Sequence, residues 1–104
     1  MNLKISINFE VYSEDAPSIL NWEEAKEYCE SLGEGWRLPT KDELNLMYEE
    51  HKKGVGSFTE DYYWSSSEND TGHVWFQNFI LGNQYSNCNE YITNRVRAVR
   101  DIKI

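Results

Sequence analysis

Apolar and polar positions alternate strictly at the start of the chain. Leu3, Ile5, Ile7, Phe9 and Val11 fall on one side, and Asn2, Lys4, Ser6, Asn8 and Glu10 on the other. A period of two sends alternate side chains to opposite faces, so this stretch predicts a half-buried strand, straight or bent into two. "SEDAPS" breaks the pattern and reads as a loop. From Trp22 the period becomes helical. Trp22, Ala25, Cys29 and Leu32 share a face with Tyr28 beside them, Asn21 is placed to cap, and Gly33 falls at the first position past the end. Pro39 then keeps Leu38 extended. Thr40 followed by Glu43 makes a capping box for a second helix. Its inner stripe is Leu44, Met47, Tyr48 and His51, and it stops near "KKGVG".

The second half is written in short extended pieces. Tyr63-Trp64-Ser65-Ser66 reads as a strand, "ENDTG" as a turn and "HVWFQNFI" as another strand. "LGNQ" turns the chain, with Gly82 as the residue at positive φ. Residues 83–94, "NQYSNCNEYITN", read as a long loop. Residues 95–104 alternate again and are expected to pair with the first strand, bringing the termini together. Strand, helix, helix and several strands predict one α+β domain over 1–104, two helices packed on antiparallel sheet.

Composition narrows the function more than the fold. A chain of 104 residues buries roughly two-thirds of its unfolded surface, enough for one core. Four Trp, seven Tyr and four Phe exceed what such a core holds, so some aromatics should lie at the surface or at a contact site. A net charge of −8 argues against nucleic acid and anionic membranes as partners. No apolar run reaches spanning length. The alternating N-terminus is unlike a secretory signal, which points to the cytoplasm, a phage particle or a signal-free export route. Cys29, on a helix stripe, reads as a buried thiol. Two cysteines leave a Cys29–Cys88 disulfide open. His51 and His73 show no ligand spacing with either cysteine, so neither metal nor cofactor is expected.

The segments "WEEAKEYCESLGEGWRLPTKDELNLMY", "YYWSSSE", "VWFQNF" and "NRVRAVRD" together resemble a bacterial family typified by the C-terminal domain of Legionella collagen-like protein. The resemblance runs from about Trp22 to Asp101 and implies a C-type-lectin-like fold. "WRLPTKDE" is also similar to formylglycine-generating enzymes of that fold. The same group resembles the variable target proteins of diversity-generating retroelements, in which a C-terminal stretch is rewritten at template adenines while the scaffold stays fixed. Four of residues 83–94 are Asn, and Tyr, Ser, Thr and Ile each lie one adenine change from an Asn codon. An ordinary Asn-rich loop is the alternative.

In "VWFQNFIL", Trp75, Gln77 and Phe79 share one face and Val74, Phe76, Asn78 and Ile80 the other. The family pattern turns the Trp and second Phe inward, which places Phe76 and Ile80 outward. The expected binding face is therefore Asp70, Thr71, His73, Phe76, Ile80, Leu81, Tyr85, Ser86, Asn87, Asn89, Tyr91 and Thr93, within residues 70–73 and 83–93 and the strand between. Residues 1–66 and 95–104 form the frame. The expected ligand is a protein or a cell-surface glycan, neutral or basic, with Tyr giving contact area and Asn and Ser adaptable hydrogen bonds.

Other chemistries fit less well. A formylglycine-generating site needs reactive cysteines late in the domain, where only Cys88 is present, and the sulfoxide synthases of that fold need a histidine set. A calcium lectin needs a Pro-containing loop, and no Pro follows Pro39. "SENDTG" offers Glu68, Asn69 and Asp70 as hard oxygen ligands, but such residues are common turn formers. Sugar binding without metal, by Trp75 or Tyr91, stays open. Arg37, Glu43, Arg97 and Arg100 are expected to form a structural network, with Glu43 accepting from Arg97 or Arg100 to tie helix to sheet.

Overall fold

The computed structural model describes residues 2–4, 8–87 and 92–102. The order is β1 (Leu3–Lys4), β2 (Phe9–Val11), α1 (Trp22–Ser31), α2 (Lys41–Lys52), β3 (Tyr62–Glu68), β4 (Val74–Asn78), β5 (Gln84–Asn87) and β6 (Val99–Asp101). Two three-stranded antiparallel sheets result, ordered β1-β2-β6 and β3-β4-β5. The fold is α+β, as the alternation of periods implies. The N-terminal stretch is two strands that face each other, with Leu3 opposite Val11. The C-terminal strand closes on the second of them, Phe9 opposite Asp101 and Val11 opposite Val99.

Both helices start where side chains satisfy their first N–H groups. Asn21 accepts from the Glu24 N–H while Glu24 accepts from the Asn21 N–H, and Thr40 and Glu43 do the same for α2. The buried stripes are Ala25 and Cys29 on α1 and Leu44 and Met47 on α2. They lead to two core clusters. One gathers Ala25, Cys29, Trp36, Leu38, Trp64, Val74, Val96 and Ala98. The other gathers Phe9, Val11, Leu44, Met47, Phe58, Tyr63, Phe79 and Val99.

Strand β4 is covered on both faces, and this revises the reading of "VWFQNFIL". Val74 and Asn78, which share a face with Phe76 in the alternation, are buried. Trp75, expected inward, is half-buried with the Lys41 ammonium 4.0 Å from its ring. Gln77 is fully buried, its Nε2 donating to Asn45 Oδ1 and the Gly82 carbonyl. A strand with cover on both faces has no solvent side for alternation to mark. Residues 84–87, read as loop, are instead a strand that pairs with β4, Phe76 opposite Tyr85 and Trp75 opposite Ser86.

Candidate functional site

Three structural settings divide the expected binding residues. The first is the β3–β4 turn. Asn69 organises it: its Oδ1 accepts from the N–H groups of Thr71 and His73 and from the Thr71 hydroxyl. Its amide also donates to Ser86 Oγ at 3.1 Å, fastening the turn to β5. Asp70 and Thr71 are exposed and His73 half-buried. Asn69, weighed above as a calcium ligand, thus spends its side chain on the turn itself. Among the described residues no group of three His, Cys, Asp or Glu side chains gathers as a metal site.

The second setting is the outer part of one sheet face. Phe76 lies with Tyr62 and Tyr85 in a ring cluster, centroids 5.7 Å apart for Tyr62–Phe76, 5.9 Å for Phe76–Tyr85 and 6.5 Å for Tyr62–Tyr85. Trp64, from the core, contacts Phe76 edge-on at 5.8 Å and anchors the cluster from within. Tyr62 and Tyr85 are 39% and 44% exposed. Phe76 is half-buried beneath them, against the first core cluster, rather than turned freely outward. Tyr62 was missed in the sequence because the strand was begun at Tyr63. A period of two puts Tyr62 on the face of Trp64, and the pairing of Trp64 with Phe76 makes that the face of Phe76.

The third setting is the β4–β5 turn. Asn78 Oδ1 accepts from the N–H groups of Ile80 and Leu81, so both follow the strand rather than belong to it. They stand out from the surface at 57% and 73% exposure. Ile80 also borders a cavity of about 460 Å³ with Tyr48, His51, Val55, Phe58 and Phe79. Rings line its floor, His51 lying 5.6 Å from Phe79 and 6.1 Å from Phe58.

The rest of the 83–94 stretch is mixed. Gln84 Nε2 donates to the Lys41 carbonyl and to Gln77, tying β5 to α2. Asn87 and Thr93 are exposed, Ile92 packs on the first core cluster, and Asn94 is buried with its backbone paired to Leu20. Asn89, Tyr91 and Cys88 lie outside the described residues, so the Cys29–Cys88 question does too. Burial pushes the Cys29 thiol up to about 12, which makes it a poor nucleophile.

The arginines form separate ion pairs, and Glu43 does not reach Arg97 or Arg100. Its carboxylate accepts two bonds from Arg37, at 2.7 and 2.9 Å, while Arg37 also reaches Asp101 at 2.6 Å. Burial alone would raise the Glu43 carboxyl, but the Arg37 and Thr40 hydrogen bonds and the Arg37 charge bring it below its ordinary value. Arg100 pairs with Glu10 and lies over the Trp36 ring. Arg97, with a side chain 1% exposed, donates to Asp15 at 2.8 Å and to the carbonyls of Tyr12, Gly56 and Ser57. Asp15 in turn accepts from the Tyr63 and Thr59 hydroxyls. These pairs hold loops, strands and α2 to one another.

In comparisons with known proteins, the family described as the Lcl C-terminal domain matches residues 6–100. A search of curated proteins finds no match.

Proposed function

The chain belongs to the Lcl C-terminal domain family, and from that premise we propose that it is a non-enzymatic binding domain whose β3–β5 half meets a protein or a cell-surface molecule. The observation that carries the reading is the exposure of Tyr62, Ile80, Leu81 and Tyr85 on one hairpin and its neighbouring strand. Exposed apolar groups that gather on a rigid frame mark contact sites. The Arg97–Asp15 and Arg37–Glu43 pairs contribute to that frame. In the finer form of the reading, the face is replaceable and has been diversified by a retroelement. A near-copy of the gene's 3′ end with Asn codons at these positions, beside a reverse-transcriptase gene, is the expected signature. Sibling sequences should then differ almost only at the exposed positions of residues 70–93.

The direct test is binding of the labelled domain to an array of glycans and an array of purified surface proteins. A variant with Ile80, Leu81 and Tyr85 all replaced by serine serves as control. Because these side chains are exposed, each replacement should change stability by no more than about 0.5 kcal/mol. The parent should bind and the variant should not. Equal signal from parent and variant on every spot would sink the reading. A carbohydrate-binding module is the second form of it, expected to show saturable binding on the glycan array. The ring of Trp75 already carries Lys41, so Tyr62 and Tyr85 are better placed to stack a sugar.

A further inference from the structure

Between Lys53 and Arg95 the chain has no lysine or arginine, yet it has five carboxylates: Glu60, Asp61, Glu68, Asp70 and Glu90. Elsewhere the fold lays its own cations on its rings. Lys26 sits 3.8 Å from the Trp22 ring centre, Lys41 4.0 Å from Trp75, Arg97 4.4 Å from Phe58 and Arg100 4.5 Å from Trp36. A cation is drawn to the negative face of a ring, more so where water is excluded. Among the described residues no cation lies over Tyr62, Phe76 or Tyr85. The strands that carry these rings have none to supply. Arg95, the next cation along the chain, is held by Asp61 at 3.1 Å and by its backbone bond to Tyr62.

We propose that the Tyr62–Phe76–Tyr85 face receives a lysine or arginine side chain presented by a partner protein. This rests on the reading of the β3–β5 half as a binding face and names the chemistry it selects. Charge and ring geometry both favour this occupant. The chain's net charge of −8, with Arg95 already paired to Asp61, disfavours phosphate, sulfate and acidic sugars and favours a positive group. The Tyr62 and Tyr85 rings stand at 90° to each other, so a flat neutral sugar cannot lie against both. An ammonium or guanidinium needs only one ring face. Trp64 fixes Phe76 from below, so the platform is set before a ligand arrives.

The test is a titration of the isotope-labelled chain, at physiological salt, with a short Gly-Ser peptide that carries two arginines and with its citrulline twin. Citrulline keeps the shape and loses the charge. The arginine peptide should shift the Tyr62, Phe76 and Tyr85 resonances saturably, and the citrulline twin should not. Tyr62→Leu and Tyr85→Leu should each weaken binding by about three- to tenfold, whereas Tyr85→Phe, which keeps a ring, should retain it. Unchanged thermal unfolding of the Leu variants shows that the fold is intact. Binding that survives both Leu substitutions, or shifts spread over acidic residues without saturation at the rings, overturns the proposal. Equally tight binding of the citrulline twin at the same rings overturns the cation preference and leaves the binding face standing. A chain that binds neither peptide and no arrayed ligand removes both.

Discussion

Arg97 and Arg37 look alike in sequence, and their surroundings give them different work. Arg97 is enclosed, and its guanidinium ties two segments to its own, residues 12–15 through Asp15 and the Tyr12 carbonyl and residues 56–57 through the carbonyls of Gly56 and Ser57. Such a pair fixes an arrangement more than it adds net stability, because burying both charges costs much of what their attraction returns. Arg37 is one-third exposed and meets a carboxylate that already serves a helix cap. That overlap makes Glu43→Gln informative. Gln keeps the capping box but loses the charge, so the change isolates the ion pair. At neutral pH it should cost about 1–2 kcal/mol in urea unfolding. The Glu43 carboxyl lies below its ordinary 4.5 in the folded chain. Its contribution is therefore complete above that value and is lost as pH falls through the folded pKa. Parent and variant should converge in stability as the solution is acidified below 4.5. A gap that stayed constant with pH would assign the cost to packing instead.

The β4–β5 hairpin depends on one turn, and the turn depends on Gly82. Its φ is +89°, and a Cβ built there would come within 2.6 Å of the Tyr48 ring. Gly72, in the β3–β4 turn, has a similar φ of +81° with nothing within 4 Å. Gly72→Ala should therefore cost about 1 kcal/mol, from backbone strain alone. Gly82→Ala should cost roughly 2–4 kcal/mol, because Tyr48 must move as well. Equal costs in denaturant unfolding would mean the Tyr48 contact is slack. Elements set by neighbours in sequence were legible: both capping boxes, both helix stripes and the two glycine turns rest on residues a few positions apart. β5 was not, because "QYSN" has little strand preference of its own and is held by pairing with β4 and by Gln84 on α2. The partner of Glu43 was not legible either. Three arginines near the C-terminus offered equivalent charge, and only the packed fold shows that Arg37 faces the helix. The exposed positions Ile80, Leu81 and Tyr85 were nameable in advance. Tyr62 was lost to a strand boundary placed one residue late, where such boundaries are least certain.

Residues 94–99 join the two halves of the molecule. On one side the carbonyls of Asn94, Val96 and Ala98 accept from Leu20, Ala16 and Tyr12. On the other side Arg95 exchanges backbone bonds with Tyr62 and Trp64, and Val99 with Arg37. Val96 and Ala98 point into the first core cluster and Val99 into the second. Neither cluster can lose this segment and keep its packing, so the two should unfold as one unit. The clusters can be watched separately. In a Trp75→Phe background, Trp22, Trp36 and Trp64 all report the first cluster, while amide exchange at Leu44 and Met47 reports the second. Val96→Ala removes two methyl-sized groups from the first cluster alone and should cost roughly 2 kcal/mol. If the segment couples the clusters, tryptophan fluorescence and Leu44 and Met47 protection should fall by the same free energy. Protection of Leu44 and Met47 left at the parent level while fluorescence reports the loss would show that the halves open independently. A binding face carried on the β3–β5 half would then rest on a less rigid support than the shared segment implies.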